Sequence, residues 1–455
     1  MAEWTPVPEQ PGWARAVFVR DDPILAAELG TRLAAGSGAS SVGVTDLVDA
    51  RRAYWRSVGP PVAVSEERRT ALETGRRLHR WLGGLFPDDA LREVRVRRDG
   101  IAARIDVLAD VPVELKTGGT AVVPDDLSRS RPEHVEQLAM YCALAGRTQG
   151  RIVHCRTGGD APGAIRTTEV DFRGLDRIEA EAQRRARALR HAWAAADPRE
   201  LPACAWRGRG CEFEDAGVCD CDGREPAPSP TLLERAERVA PREDLDRQLE
   251  ARRGAAPPPT AGTVERFREL VYPRRAYFDR TERRPPDLAP APPRPVGPDL
   301  YARLVDAVES GPLGEVASVP RRSADPEEDV PGFRGVPYLV RTSRAWGPVP
   351  VGEVVARYPQ YALELGSRCA VTGTRTGRVI LGAERAAVDA ERLRVLEFRF
   401  DPVTAFARFV RGRTGALVAA VRDRTPDALP ACPPWMTAEC PYREVCGCAA
   451  DLDHR

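Results

Sequence analysis

The sequence predicts an α/β protein built as two tandem domains. Each domain is a mixed sheet flanked by helices, with a cysteine cluster at its C-terminal end. Three observations predict this. The chain has 455 residues, too many for one compact core and enough for two or three domains. Its second half repeats its first. Within the first copy, strand-like and helix-like segments alternate as they do in domains that lay helices on a mixed sheet.

The repeat is carried by four collinear matches. Leu47-Val48-Asp49-Ala50-Arg51-Arg52-Ala53-Tyr54-Trp55 returns as Leu270-Val271-Tyr272-Pro273-Arg274-Arg275-Ala276-Tyr277-Phe278. Val111 to Thr117 faces Val336 to Thr342, Gly150 to Val153 faces Gly377 to Ile380, and Leu201-Pro202-Ala203-Cys204 returns unchanged at Leu429 to Cys432. The offsets (223, 225, 227 and 228) drift by only a few residues. The proline-rich stretches at 226–230 and 255–259 bracket a short helical segment, as linkers do. The expected domains are therefore 1–224, a linker over 225–259, and 260–455.

In the first copy, Thr45 is positioned to cap a helix running through Tyr54 and Trp55. A second helix spans Ala71 to Leu82. Glu93 to Arg98 and Ile101 to Leu108 flank Asp99-Gly100, a strong hairpin signal. A third strand runs over Val111 to Lys116, a helix over Pro132 to Leu144, a strand over Arg151 to Cys155, and a long helix from Leu175 to Ala196, stopped by Pro198.

Composition narrows the function. No stretch approaches the ~18 apolar residues of a membrane helix, and the N-terminus lacks the basic and apolar segments of an export signal, so a cytoplasmic protein without membrane contact is expected. Net charge is +1, which excludes a globally basic nucleic-acid coat but permits a local basic groove. Of 68 basic residues only Lys116 is lysine. GC-biased coding accounts for the arginines. The lone ammonium suggests a tight site that a wide guanidinium does not satisfy.

Lys116 lies two residues after Glu114 on one strand face, with Asp106 near the end of the neighbouring strand, close enough for the two carboxylates to grip one divalent ion. His79 on the preceding helix is a further candidate ligand. Gln137 and Tyr141 are one helical turn apart on one face. The second copy lacks this set: Pro331, Leu339 and Arg341 are aligned with the trio and Leu304 with His79.

These residues resemble the RecB-type branch of the PD-(D/E)XK nucleases. The motifs are Gly75-x-x-x-His79, Asp106, Glu114-Leu115-Lys116 and Gln137-x-x-x-Tyr141, in the family's order, over about residues 40 to 222. The resemblance implies restriction-endonuclease-like domains and a metal-dependent phosphodiesterase acting on DNA, single-stranded or with ends, in repair, recombination, phage defence or CRISPR-like adaptation. His79, Asp106 and Glu114 would hold Mg²⁺ or Mn²⁺. Lys116 would serve the attacking water, and Gln137 and Tyr141 would position the site and the strand. The alternative is a DNA-end-binding or scaffold protein with little catalysis. No helicase motif is present, so any unwinding would come from a partner.

Cys204, Cys211, Cys219 and Cys221 follow the long helix of the first copy, and Cys432, Cys440, Cys446 and Cys448 that of the second. Four thiolates suit Zn²⁺ or an iron–sulfur cluster, and in a non-exported chain they argue against disulfides. The iron–sulfur nucleases of the same branch imply one 4Fe–4S cluster per half, with Zn²⁺ the alternative. The second copy keeps Arg274 and Arg275, expected to contact phosphates.

Overall fold

The computed structural model describes residues 5–6, 17–35, 41–60, 62, 66–118, 127–158, 161–202, 211–219, 230–255, 266–281, 300–320, 329–343, 350–383, 393–431, 442 and 446. They form a mixed α/β protein in which mixed sheets are flanked by helices. The chain divides into two compact units, Ala39–Ala261 with Glu309–Ser318, and Met1–Gly38 with Gly262–Val308 and Val319–Arg455. Among the described residues no helix is long and apolar enough to cross a membrane.

The sheet of the first unit runs Val316–Ser318, Leu91–Arg98, Ile101–Leu108, Pro112–Gly118, Gln149–Gly158, Ala161–Phe172 and Ala236–Pro241. Its one parallel pairing along this path is Pro112–Gly118 with Gln149–Gly158. A parallel pairing needs a crossover, and the Pro132–Ala145 helix supplies it. Every residue from Val135 to Leu144 is buried, because the sheet lies on one side of this helix and Leu175–Ala195 on another. Pro132 at its first turn and left-handed Gly146 at its end fix its length. The opposite face of the sheet is covered by Glu66–Gly84, whose Leu78, Trp81 and Leu82 join Val107, Val113 and Leu115 in a second core. The Asp99-Gly100 turn takes φ of 50° and 72°, the left-handed pair that a two-residue hairpin requires.

The second unit repeats this topology. Pro331–Phe333, Val336–Ser343, Thr376–Ala383 and Leu393–Phe400 follow one another, with the middle pairing parallel and the outer two antiparallel. Pro359–Thr372 is the crossover helix. Details repeat as well. A Cβ on Gly150 would meet Cys142 Sγ and Leu138, and one on Gly377 would meet Leu365 and Cys369 Sγ. The Cys142 thiol donates to the Gln149 carbonyl at 3.3 Å, and the Cys369 thiol to the Thr376 carbonyl at 3.2 Å.

Several expectations need correction. The segment 225–259 holds the expected short helix, Glu243–Ala255, but is more than a linker: Ala236–Pro241 before it is a strand paired with Ala161–Phe172. Both belong to the first unit. The first 38 residues do not belong to that unit. Val17–Asp21 pairs with Leu393–Phe400 at the edge of the second unit's sheet, and helix Pro23–Ala35 follows it. Leu25 and Leu29 fall where Leu245 and Leu249 fall after Ala236–Pro241. Each unit is thus completed by the strand–helix segment that precedes the other copy in sequence. Glu309–Ser318 returns to the first unit, where Glu309 takes ion pairs from Arg95 at 2.8 Å and Arg97 at 2.7 Å. The first helix breaks at Asp49 into Val44–Val48 and Ala50–Val58. Its start is held by Asp46, whose carboxylate accepts the Gly43 N–H at 3.1 Å, rather than by Thr45.

Candidate active site

The site forms where two strands part. Ile101–Leu108 and Pro112–Gly118 pair only at Val107 with Val113 and Leu108 with Pro112. Beyond that point Asp106 fills the fork: its Oδ2 accepts the Leu115 N–H at 2.8 Å, replacing a ladder bond that the diverging strands no longer make. Asp106 and Glu114 are thereby held side by side, 7% and 2% exposed. His79, from the helix on that side, places Nε2 3.0 Å from the same Asp106 oxygen. Lys116 Nζ lies 2.5 Å from Glu114 Oε1 and donates to Gln137 Oε1 at 3.0 Å. The Gln137 amide in turn donates to the Tyr141 hydroxyl at 2.9 Å. The six residues singled out in the sequence therefore form two bonded groups, His79–Asp106 and Glu114–Lys116–Gln137–Tyr141, which meet where Asp106 accepts the Leu115 N–H between Glu114 and Lys116.

Its electrostatics are strongly perturbed. Burial first, and the neighbouring Asp106 carboxylate second, push Glu114 up to about 8. Burial opposes a charged His79, but Asp106 outweighs it and raises His79 to about 9. Burial likewise opposes ionised Asp106, yet His79 and the Leu115 N–H hold it below the usual carboxylate range. Lys116 is raised, the Glu114 charge overcoming its desolvation. Buried Tyr141 is held well above the usual phenol value.

The donor set suits a hard divalent cation. Glu114 Oε2 is buried without a hydrogen-bond partner among the described residues, a costly arrangement unless a ligand completes it. Carboxylate oxygens with one imidazole are donors that Mg²⁺ and above all Mn²⁺ accept. Ligand atoms of His79, Glu93 and Asp106 lie within 4.8 Å of one another.

Glu93 was not identified from the sequence. It stands in the strand Leu91–Arg98 with φ of 50°. The hairpin register skips it between the pairs Arg92–Val107 and Val94–Ile105, so it sits opposite Asp106. A glutamate inside a strand pattern gives no sign of a left-handed backbone. His134 and His154 were missed too. His154 is the parallel partner of Lys116, and His134 lies one turn before Gln137. Their rings meet at 3.2 Å, Nδ1 to Nε2. Burial, then Lys116 and Arg131, depress His154 to about 4, so it stays neutral beside the ammonium. The i, i+3 spacing of His134 and Gln137 was the available signal.

In the second unit the equivalent positions hold a different network. Arg341, Glu364 and Arg368 stand where Lys116, Gln137 and Tyr141 stand in the first. Glu364 takes an ion pair from Arg341 and one from Arg368, the latter at 3.0 Å. Burial opposes its charge, but the two guanidiniums hold Glu364 below the usual carboxylate range. Leu304 and Leu339 are buried. The strand register moves one alignment by a residue: Gly332 pairs with Pro337 as Leu108 pairs with Pro112, so buried Val330, not Pro331, takes the place of Asp106. Arg274 is not arranged as a phosphate contact. Its Nε donates to the Leu429 carbonyl at 2.8 Å and its Nη1 to the Cys446 carbonyl at 3.2 Å.

Of the cysteines, Cys211 and Cys219 are buried with Phe213 in a cluster that also touches Trp55, and Cys446 is buried near Tyr442 in the second unit. Cys204, Cys221, Cys432, Cys440 and Cys448 lie outside the described residues.

No family model matches the chain and no curated protein matches it. Among solved structures it is similar to one described as "Crystal structure of SSO0001", with 22% identity, a TM-score of 0.30, and coverage of 43% of this chain and 96% of that one.

Proposed function

We propose that the protein is a metal-dependent DNA nuclease whose two halves are restriction-endonuclease-like domains, the first active and the second degenerate. The observation that carries this reading is the chain's only lysine, tied at one end to Glu114 and at the other to Gln137, in a fork whose remaining walls are Asp106 and His79. The resemblance of these motifs to RecB-type PD-(D/E)XK nucleases points the same way.

His79, Asp106 and Glu114 would hold Mg²⁺ or Mn²⁺. Such an ion, when bound, lowers the pKa of a water and offsets charge on a phosphate. The protein's own part is positioning and proton control. Lys116 is fixed from two sides, so its ammonium can orient the attacking water and face the charge that grows on the phosphoryl oxygens. As water oxygen bonds to phosphorus, the P–O bond to the leaving sugar oxygen breaks, and a proton from the water must depart. With Glu114 engaged as a ligand, Lys116 keeps the water oriented and that proton passes to bulk solvent. Tyr141 is a positioning residue, acting through Gln137. The second unit offers apolar Leu304, Val330 and Leu339 where the ligands would be, and Arg341 in place of Lys116, so hydrolysis is assigned to the first. The thiols of each half would hold a 4Fe–4S cluster, or Zn²⁺, as a structural staple.

Digestion of end-labelled single- and double-stranded DNA, with RNA alongside, in Mg²⁺ or Mn²⁺ tests the reading. Cleavage by the native chain that Glu114→Gln abolishes supports it. Equal DNA binding by both proteins without cleavage by either would replace it with the scaffold function.

A further inference from the structure

We infer that Glu93 is a ligand of the catalytic cation, and that Arg104 is the counter-charge it leaves to bind that cation. The inference rests on the cation-dependent reading of the site and adds to it a residue outside the His79, Asp106 and Glu114 set. Glu93 Oε1 lies 3.8 Å from His79 Nδ1, and its Oε2 is 2.8 Å from Arg104 Nε. The Glu93 side chain is 11% exposed, that of Arg104 61%. A largely enclosed carboxylate is therefore balanced by a guanidinium that solvent can readily take up. On the strand beyond Asp106, the unpartnered Glu114 Oε2 is the second sign that the pocket is completed from outside. Glu93 reaches it only because its backbone is left-handed, a conformation disfavoured for residues with a Cβ and often retained at ligand clamps. With Glu93 engaged by the cation, Arg104 is released on the strand that carries Asp106, two residues from it, where a guanidinium can meet a substrate phosphate.

The test is Mn²⁺ binding by calorimetry and by loss of the free-ion EPR signal, with thermal unfolding of the cation-free proteins. Glu93→Gln should weaken Mn²⁺ at least tenfold. Arg104→Gln should tighten it severalfold, since the competing guanidinium is gone. Glu93→Gly, which relieves the left-handed strain, should leave the cation-free unfolding temperature unchanged or higher while shrinking its rise with Mn²⁺. Mn²⁺ affinity within twofold of native in Glu93→Gln, with loss of binding in Glu114→Gln, would overturn the role of Glu93 and leave the nuclease reading intact. No Mn²⁺ binding by the native protein would remove both.

Discussion

Arg51 and Arg274 make the same hydrogen bond in the two units. Each donates from Nε to the carbonyl of the leucine that opens a Leu-Pro-Ala-Cys segment, Leu201 or Leu429, at 2.8 Å. Arg51 is fully buried, and beside it Arg52 reaches Glu212, next to Cys211, at 3.0 Å. The early helix of each copy thus grips the tail that carries the cysteines. Removing such a guanidinium strands buried carbonyls, at ~1–3 kcal/mol for each. Arg274→Ala is expected to cost the second unit about 2–4 kcal/mol in urea unfolding. Arg275→Ala, whose guanidinium is 3.7 Å from Asp279 one turn away, should cost under ~0.5 kcal/mol. Lost DNA affinity in a folded Arg274→Ala protein would restore the phosphate contact.

Lys116→Arg retains charge but cannot reproduce the compact double contact to Glu114 and Gln137. Turnover should fall on the order of 100-fold or more, as when a fixed transition-state donor is lost. Tyr141→Phe should fall less, on the order of tenfold, because Gln137 loses an anchor but Lys116 keeps Glu114. Single-turnover cleavage under saturating Mn²⁺ separates these effects from binding.

Without cation, stability should decline as pH rises. With His154 lowered to about 4 and cancelling one proton below about pH 6.5, the raised Glu114 at about 8 and His79 at about 9 give the native protein an excess of protons over the unfolded chain between roughly pH 6.5 and 9. Their stabilising contribution is fully present below the unfolded values and lost through the folded ones. Asp106 is depressed and acts oppositely, its contribution fading only in acid below the usual carboxylate range. Urea midpoints of the cation-free protein should therefore fall between about pH 6.5 and 9. Glu114→Gln should flatten the part below 8. Cation affinity should rise over the same window, since both ligands must shed protons to bind.

The thiols give a colour test. Protein purified without oxygen should be brown and bleach on reduction if the clusters are 4Fe–4S. A colourless protein with two equivalents of zinc would assign Zn²⁺. Cys446→Ser should destabilise the second unit, where Cys446 packs in the core, while first-unit cleavage persists.

Residues that act through local pattern were legible in the sequence. Asp99-Gly100 marked its hairpin, Glu114 and Lys116 their strand face, and Gln137 and Tyr141 their helical turn. Glu93 was not, because a left-handed residue in a strand is imposed by the neighbouring fork. Strand Ala161–Phe172 was missed because its Thr167 and Thr168 are buried polar residues that disturb the alternation. The pairings of Val17–Asp21 and Ala236–Pro241 could not be read either, since the choice of a sheet edge is decided by tertiary contacts far along the chain.

Those two edge strands bear on the order in which the protein can be made. Val17–Asp21 leaves the ribosome long before its partner Leu393–Phe400, which follows only after on the order of 20–70 s at ordinary elongation rates. Throughout that interval an apolar strand, with Val17 and Val19 destined for burial, waits without its ladder and is exposed to wrong pairing. The first unit also waits, for Ala236–Pro241 and then Glu309–Ser318. A gene divided at the proline-rich stretch before 230 would yield a first product carrying an unmatched Val17–Asp21 and a second carrying an unmatched Ala236–Pro241. Expressed together, the two fragments should rescue each other's solubility; expressed apart, each should aggregate.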